Sequence, residues 1–404
     1  MNVLNKLSKY FPILPGLINI IILINIVIWL AHPPSPLLAS LIIFILLFLI
    51  ILNFIDFKKN YLLFIFFSYA LFLTLGLGTT EWDARTIWLA HAKVIYIDQD
   101  IYSQIAQGRY IGGHVEYPIG FPALAATLAN LVGIWNEVYP KAALIFFLMP
   151  PLFITFQILQ SKSLEIIFLV GLAIICRSYL FNGYMDALVA LYTWAIILLF
   201  LARRYSVIDL NSNIIFTRNN YFVITIISFL GVLLMLKNEG LAITVILIIF
   251  LLFHRLSLSY TQLLMVTFIP FIFYFYIWKL PLLHSGITND LMSEGIIKRI
   301  FDRLSNFNDI KIIINYFFRY LDLFSCAFIL NFLRKNVYVK HFILPISFVI
   351  SYTLLLFIIY LSTPNDLNWH LFTSVKRVLL PILLVMFGCI VFSLSSTYTE
   401  FNNK

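Results

Sequence analysis

Charged residues are scarce in this sequence. Asp, Glu, Lys and Arg together make up 11% of its 404 residues, whereas a soluble domain carries about 25%. A soluble protein of this length needs charged faces between its apolar segments, and the sequence does not supply them. The lack of charge therefore argues against a soluble globular fold.

Cysteine is also rare, and its positions exclude two further classes of protein. Cys176, Cys326 and Cys389 are the three cysteines, and each lies within an apolar run. They have neither the spacing of zinc ligands nor the pattern of a disulfide framework. The acidic residues are scattered as well, so no metal site and no cofactor are predicted, although a divalent metal stays open as an alternative.

Hydrophobic residues are abundant, at 62% of the chain. They form apolar runs along the whole length, most of them near the roughly 20 residues with which a helix crosses a bilayer. The sequence therefore predicts an all-α polytopic membrane protein with about 12 transmembrane helices. The predicted spans are 12–31, 37–55, 61–78, 142–159, 164–181, 187–202, 222–236, 241–253, 263–280, 313–333, 342–361 and 378–395.

The domain organisation follows from these runs. Residues 1–60 are predicted to form an N-terminal helical hairpin, and residues 61–395 the main membrane domain. Residues 396–404 are predicted to be a cytoplasmic tail. The predicted outer loops are 79–117, 281–312 and 362–377.

The orientation in the membrane depends on segment 118–135, which follows Glu116 and Tyr117 and lies in the motif "YPIGFPAL" that starts at Tyr117. If this segment does not cross fully, the later basic loops all lie on one side, including Lys162, Arg203–Arg204 and Arg255. That side is then the cytoplasm by the positive-inside rule. We therefore predict an interfacial or re-entrant helix at 118–135. The net charge of +9 is explained by this topology, and no nucleic-acid partner is expected.

The first outer loop contains the stretch "TTEWDARTIWLAHAKVIY" at 79–96. It has no Gly or Pro, and Trp88, Ala92 and Tyr96 recur every four residues, which predicts an amphipathic helix lying on the membrane surface. Thr80 and Asp83 fit the capping-box pattern at its start. Asp83 is thus either a structural cap or a catalytic carboxylate, and the two roles are compatible.

Other polar clusters fall on the same outer face. They are "HVEYPIGFP" at 114–122, "NGYMD" at 182–186, "KNEG" at 237–240 and "TPNDLNWHLFTSVKR" at 363–377. The second and third are turns of a few residues between spans. Charges held so close to the membrane are costly without a partner or a function.

In their order and common placement, these motifs resemble those of the GT-C superfamily of membrane glycosyltransferases, which includes the protein O-mannosyltransferases and the lipid A aminoarabinose transferases. The resemblance covers about residues 61–395. It implies a GT-C-like fold and transfer of a sugar from a polyprenyl-phosphate donor in the outer leaflet to an acceptor hydroxyl on a lipid, a glycan or a protein. It further implies a multi-pass protein of the bacterial inner membrane with a periplasmic active site.

By the same resemblance, Asp83 is the general base that activates the acceptor, with Glu81 as the alternative. Cations near the leaving phosphate stabilise its charge. The candidates for this role are Arg377, Lys376, Lys237, Lys93 and Arg85. The candidates for the substrate pocket are His91, Glu116, Tyr117, Asp186, Glu239 and His370.

Two other functions remain as alternatives. A transporter or flippase for lipid-linked sugars predicts ionisable residues in the middle of spans and matched broken helices, and most predicted spans are free of charge. A polymerase of lipid-linked glycans uses a similar donor and would have a similar composition.

Overall fold

The computed structural model describes residues 13–54, 57–106, 113–204, 215–254, 258–287, 295–332 and 342–395. Every regular element within these ranges is helical, so the predicted all-α class is confirmed. Two of the predictions, those for Arg255 and the tail 396–404, lie outside the described residues.

The main helices are numbered here in chain order. They are α1 (Ile13–Ala31), α2 (Pro36–Asn53), α3 (Phe57–Gly76), α4 (Leu89–Asp98), α5 (Ser103–Ala106), α6 (Gly120–Val132), α7 (Ala143–Leu159), α8 (Lys162–Cys176), α9 (Asp186–Arg204), α10 (Ile215–Leu236), α11 (Asn238–His254), α12 (Tyr260–Tyr274), α13 (Leu280–Ser285), α14 (Ile296–Ser305), α15 (Phe307–Phe332), α16 (Ile343–Ser362), α17 (Leu367–Val378) and α18 (Leu380–Ser393). Wider or tighter turns at Ala84–Trp88, Pro140–Ala142, Arg177–Leu180 and Phe275–Lys279 join or extend some of them.

Eight helical segments of the described residues are long and apolar enough to cross a membrane, or nine if the bent helix α15 is one span. The eight are Ile13–Ala31, Pro36–Asn53, Pro140–Leu159, Lys162–Leu180, Asp186–Arg203, Tyr260–Ser285, Ile343–Ser362 and Leu367–Ser393. Three shorter apolar helices, Asn60–Gly76, Asn220–Leu236 and Asn238–Phe253, coincide with the other predicted spans. The chain thus has the helices of a multi-pass membrane protein.

Helix α6 occupies the segment whose crossing was in question. Its 13 residues extend about 20 Å, which is less than the roughly 30 Å of a hydrocarbon core. Nearly all of them are buried against other helices. The helix therefore belongs to the interior of the bundle and is too short to cross a bilayer alone.

Helix α9 forms the centre of the bundle and is buried along its whole length. It packs against α7, α10 and α18. The indole of Trp194 donates a hydrogen bond to Thr155 across 3.2 Å, and Gly388 leaves room for that ring, because a Cβ there would lie 2.6 Å from it. The first residue of this central helix is Asp186.

The predicted N-terminal hairpin packs into the bundle. Helix α1 contacts α6, α7 and α10. Tyr192 of α9 donates a hydrogen bond to Asn19 across 2.6 Å. Thr127 of α6 accepts one from Trp29 and donates one to Asn25. These polar contacts between apolar helices fix the position of α1 on the core.

The first outer loop is helical, as predicted, but its apolar stripe does not face the membrane. Trp88 and Ala92 are fully buried, and α4 packs on α6, where Tyr96 lies 6.0 Å from Trp135. The prediction of a surface helix is wrong on this point. The stripe contacts protein because α6 is itself apolar and is buried beneath it.

The predicted capping box is also wrong. The helical part of the first outer loop begins at Trp82, ahead of α4, and we call this segment with α4 the loop helix. The backbone N–H of Arg85 donates to the carbonyl of Glu81. The carboxylate of Asp83 accepts a hydrogen bond from Arg377 and does not reach back to Thr80. An ionic hydrogen bond in a partly buried site is stronger than a cap at an exposed threonine.

Candidate functional site

Five charged side chains of alternating sign form a continuous chain at one end of the bundle. Arg377 donates a hydrogen bond to Asp83 and lies 3.9 Å from Oδ2 of Asp186. The ammonium of Lys237 lies 2.8 Å from Oδ1 of Asp186 and 2.9 Å from Glu239. Three carboxylates and two cations give this cluster a formal excess of one negative charge. We call these five residues the ionic cluster.

Each charge of the ionic cluster matches the helix end that carries it. Asp186 and Glu239 lie in the first turns of α9 and α11, where the helix dipole favours an anion. Arg377 lies in the last turn of α17, where the dipole favours a cation. Lys237 follows the last residue of α10, next to that helix's C-terminal carbonyls. The helix dipoles therefore favour anions and cations at the same end of the bundle.

Two glycines fix the end of α10 that positions Lys237. A Cβ at Gly240, in the first turn of α11, would lie 2.0 Å from the carbonyl oxygen of Leu233. A Cβ at Gly120, at the start of α6, would lie 2.4 Å from the carbonyl oxygen of Met235. No side chain fits at either position, so both helices approach the backbone of α10 directly.

A third glycine brings the first outer loop onto α9. Gly183 has a φ of +98°, a conformation that glycine adopts without strain. A Cβ there would lie 2.9 Å from the Cβ of Ala84. The turn "NGYMD" thus touches the residue after Asp83 and delivers Asp186 three residues later.

A small, partly open cavity lies against the ionic cluster, and its empty space is about 180 Å³ with the part open to solvent included. Ligand pockets usually measure roughly 300–1,000 Å³, so a sugar enters this one only if side chains move apart. Its lining is Asp186, Val189, Lys237, Glu239, Tyr352, Arg377, Val378 and Pro381.

Three polar atoms of this lining are buried and have no hydrogen-bond partner among the described residues. They are Oδ2 of Asp186, Oε2 of Glu239 and the hydroxyl of Tyr352. Buried polar atoms normally have partners, because an unpaired one costs about 1–3 kcal/mol. Unpaired acceptors that share one cavity point to a ligand that brings hydrogen-bond donors.

Aromatic rings surround the two cations. The guanidinium of Arg377 lies 4.7 Å from the ring centre of Tyr184, and the ammonium of Lys237 lies 5.9 Å from that of Tyr117. Tyr117 in turn stacks between Trp88 and His114, at 5.4 and 4.7 Å. Such cation–π contacts hold cations in place while leaving their N–H donors available.

The protonation states of this region follow from burial and charge. Burial alone would lower the pKa of Lys237, but Asp186 and Glu239 outweigh it and hold that pKa above its ordinary value, so the ammonium stays charged. Burial and the charge of Asp83 raise the pKa of Tyr184 to about 12. Burial and the nearby His114 lower the pKa of His91 to about 4, so this imidazole is neutral at pH 7.

The predicted cations do not all belong to the site. Arg377 and Lys237 are members of the ionic cluster, but Lys237 is already paired with two carboxylates. Lys376 lies 5.7 Å from the ring centre of Tyr179, near the cluster. Arg85 and Lys93 are exposed and lie outside the cluster, because they occupy the outward face of the loop helix. The ionic cluster gives no support for a phosphate-binding role of these two residues, which stays a prediction.

Of the five predicted acids, three belong to the ionic cluster and two lie outside it. Asp83, Asp186 and Glu239 are all members of the ionic cluster. Glu116 lies 3.2 Å from Nδ1 of His114, beside the ring of Tyr117. Glu81 has no ion pair or hydrogen bond to its carboxylate within the described residues, which makes it less constrained than Asp83.

The two predicted histidines lie outside the ionic cluster and outside the lining of its cavity. His91 is buried in α4, and its Nδ1 has no partner among the described residues. His370 is hydrogen-bonded to Thr363 at 2.8 Å and packs edge-on against Tyr360 at 5.0 Å. It lies seven residues before Arg377 on α17 and does not line the cavity.

Two tyrosines at the site were not predicted. Tyr352 lies within the apolar run 342–361, where nothing in the sequence distinguishes it from a tyrosine that faces lipid. Tyr184 lies inside the motif "NGYMD", and its ring supports Arg377. The position of Tyr184 in a tight turn next to Asp186 is a signal that could have identified it.

Within the described residues, no group of three His, Cys, Asp or Glu side chains is arranged to hold a metal ion. No family model, no curated protein and no solved structure matches this chain. A functional assignment therefore depends on the chemistry of the ionic cluster and its cavity, together with the resemblance of the motifs.

Proposed function

We propose that this protein is an integral-membrane glycosyltransferase of the GT-C type. It transfers a sugar from a polyprenyl-phosphate donor to an acceptor hydroxyl, with Asp83 as general base. The observation that carries the proposal is the contact between Asp83 and Arg377 beside a cavity with unpaired acceptors. These groups supply the three things the reaction needs, which are a base, a phosphate-binding cation and a polar sugar pocket.

The reaction balances with these residues. The acceptor oxygen bonds to the anomeric carbon while the bond from that carbon to the phosphate oxygen breaks. The phosphate leaves with the electron pair, and the acceptor proton passes to the carboxylate of Asp83. Arg377 stabilises the charge that develops on the phosphate.

Arg377 has the donors for both of its roles. A guanidinium carries five N–H donors, and one of its nitrogens bonds Asp83. A phosphate that binds Arg377 competes with Asp83 for the same cation. Binding of the donor therefore weakens the hydrogen bond between Arg377 and Asp83 and frees the carboxylate to act as a base.

The polarity of the cavity orients the donor. Asp186 and Glu239 each present a carboxylate oxygen that has no hydrogen-bond partner among the described residues, and such an oxygen repels phosphate and attracts hydroxyl donors. The sugar ring therefore occupies the cavity, and its hydroxyls bond these two acids and Tyr352. The phosphate lies on the side of Arg377 and Lys376, away from the inner acids.

The position of the ionic cluster favours this reaction over transport. Asp186, Lys237 and Glu239 lie at the ends of helices or between them. A transporter binds its substrate near the middle of the membrane. We further propose about twelve spans in the bacterial inner membrane, with the ionic cluster on the periplasmic face, since the positive-inside rule predicts that side for the outer loops.

Transfer by purified protein in liposomes tests the proposal. A panel of radiolabelled polyprenyl-phosphate hexoses and pentoses is supplied with extracted membrane lipids as acceptors. We expect transfer by the wild type and its loss, by at least about 100-fold, in Asp83→Asn, since general base catalysis contributes roughly 10²–10⁴-fold. Full transfer by Asp83→Asn would remove Asp83 as the base.

The matched control is Glu81→Gln, two residues away on the same loop. If Glu81→Gln retains activity, the base is Asp83. If Glu81→Gln loses activity while Asp83→Asn keeps it, the base is Glu81. A wild type that neither binds nor transfers any donor of the panel would refute the transferase assignment itself.

A further inference from the structure

Helix α14 has three faces in three different environments. One face is exposed and apolar, a second is exposed and polar, and a third is partly buried against the protein. The first consists of Ile297, Phe301 and Leu304, the second of Lys298, Asp302 and Ser305, and the third of Ile296, Arg299, Ile300 and Arg303. At about 100° per residue, the two exposed faces are centred about 100° apart, and the protein-facing side lies behind both.

The protein-facing side fixes α14 at the end of a spanning helix. Arg303 donates hydrogen bonds to the carbonyls of Tyr360 and Thr363, across 2.9 and 2.8 Å. Arg299 donates one to the carbonyl of Ser362 across 2.7 Å. These carbonyls lie at the C-terminal end of α16, where carbonyl groups have no partners within the helix. Both arginines therefore bind the fold and are not directed at lipid headgroups.

Exposed apolar residues occur on α14 and also on the two spanning helices that it packs against. Ile297 and Phe301 are 67% and 66% exposed. Phe307, at the start of α15, and Phe318, further along the same helix, are exposed as well. Helix α16, to which α14 is bound, also presents a row of exposed apolar residues, namely Ile350, Leu354 and Ile358. The outward surfaces of α15 and α16 face lipid if these helices cross the membrane, and α14 packs on both of them.

We infer that α14 is a membrane-surface helix that lies in the lipid–water interface. Its apolar face enters the bilayer between the headgroups and the acyl chains, and its polar face remains in water. The occupant of the apolar patch is therefore phospholipid. A second copy of the chain is disfavoured, because an interface large enough to cover Phe301 would also cover the adjacent charges of Lys298 and Asp302.

This inference is independent of the proposed enzymatic activity. It depends only on the exposed faces of α14 and on its attachment to α16. It predicts that α14 fixes the depth of the outer loop, and with it the start of α17, which carries Arg377.

Spin-label accessibility in liposomes tests the inference. Cys326 is the exposed cysteine, whereas Cys176 and Cys389 are buried, so Cys326→Ser provides a background for labelling. Phe301→Cys and, as the matched neighbour, Asp302→Cys are labelled and reconstituted in phosphatidylcholine–phosphatidylglycerol vesicles. The collision rates of the label with oxygen and with a water-soluble nickel chelate are then measured.

We expect the ratio of oxygen to nickel collisions to be several-fold higher at 301 than at 302. Phe318→Cys, on the exposed face of α15, gives the reference value for lipid contact. Equal ratios at 301 and 302 would overturn the inference, because both labels would then be in water. Protection of 301 from both reagents would also overturn it, because protein would then cover the patch.

Discussion

Arg377 and Asp83 are 294 residues apart in the chain, yet the guanidinium of one donates a hydrogen bond directly to the carboxylate of the other. The contact joins the first outer loop to the last turn of α17. Asp186, at the start of the central helix, lies 3.9 Å from the same guanidinium. The three residues therefore tie distant parts of the chain together at one point.

Substitution of Arg377 separates its structural role from its chemical role. Arg377→Gln leaves Asp83 without its cation and takes away the second cation beside Asp186, so we expect a loss of stability of up to about 3 kcal/mol, measured by thermal unfolding in detergent. Arg377→Lys keeps the charge and should retain most of the stability. It should still lower transfer about 10–100-fold, because lysine lacks the bidentate geometry for phosphate. The exposed Arg85→Gln is the control and should change neither quantity.

Lys237 and Asp186 should show strong thermodynamic coupling. Lys237→Met removes the nearest counter-charge of the buried Asp186 and the cation paired with Glu239, and Asp186→Asn removes one of these acids. We expect the double variant to be more stable than the sum of the single changes predicts, by about 1–3 kcal/mol. SDS titration of the four proteins in mixed micelles measures this coupling. Additive losses would show that the short distance carries no net interaction.

The composition of the ionic cluster was largely predictable from the sequence, because charges are rare and stand out in short turns between apolar runs. Asp186, Lys237 and Glu239 were singled out on that ground, and Asp83 and Arg377 were singled out through the resemblance of their motifs. Their pairing was not predictable. A capping-box pattern describes only the nearest residues, and the partner of Asp83 comes from the other end of the chain.

The direction in which each side chain points was also not predictable from the sequence. Lys93 follows the buried Ala92 by one residue, and that single step of about 100° turns it outward. Tyr352 is the opposite case. It is a polar residue in the middle of an apolar run, and the fold turns it inward to the cavity. Both depend on which face of a helix meets its neighbours, and an apolar run that is hydrophobic on all sides does not specify this.

Gly240 tests whether close backbone packing positions Lys237. In Gly240→Ala, the new Cβ would meet the carbonyl oxygen of Leu233 at 2.0 Å, so α11 must shift. We expect a loss of about 1–3 kcal/mol in stability, measured by thermal unfolding in detergent. Gly76→Ala is the matched control, because a Cβ at that position would have no other atom within 4 Å. A similar effect of both changes would mean that packing at Gly240 is not the cause.

Tyr352 and Tyr192 provide a paired test of the cavity. Both are buried, but the hydroxyl of Tyr192 donates to Asn19 across 2.6 Å, whereas that of Tyr352 has no partner in the described structure. Tyr192→Phe should cost about 1 kcal/mol of stability. Tyr352→Phe should leave stability unchanged or slightly raised, and should raise the KM for the sugar donor. A stability loss in Tyr352→Phe equal to that in Tyr192→Phe would argue against a role of this hydroxyl in ligand binding.

His91 should make the folded protein sensitive to acid. Its pKa is about 4 in the fold, because burial disfavours the imidazolium, against 6.5 for an ordinary histidine. The unfolded chain therefore binds the proton more readily between these values, so stability is complete above pH 6.5 and declines as the pH falls toward 4. The full difference corresponds to roughly 3 kcal/mol. Thermal unfolding from pH 7.5 to 4 should show a larger fall in midpoint for the wild type than for His91→Gln, and parallel curves would show that another group carries the acid sensitivity.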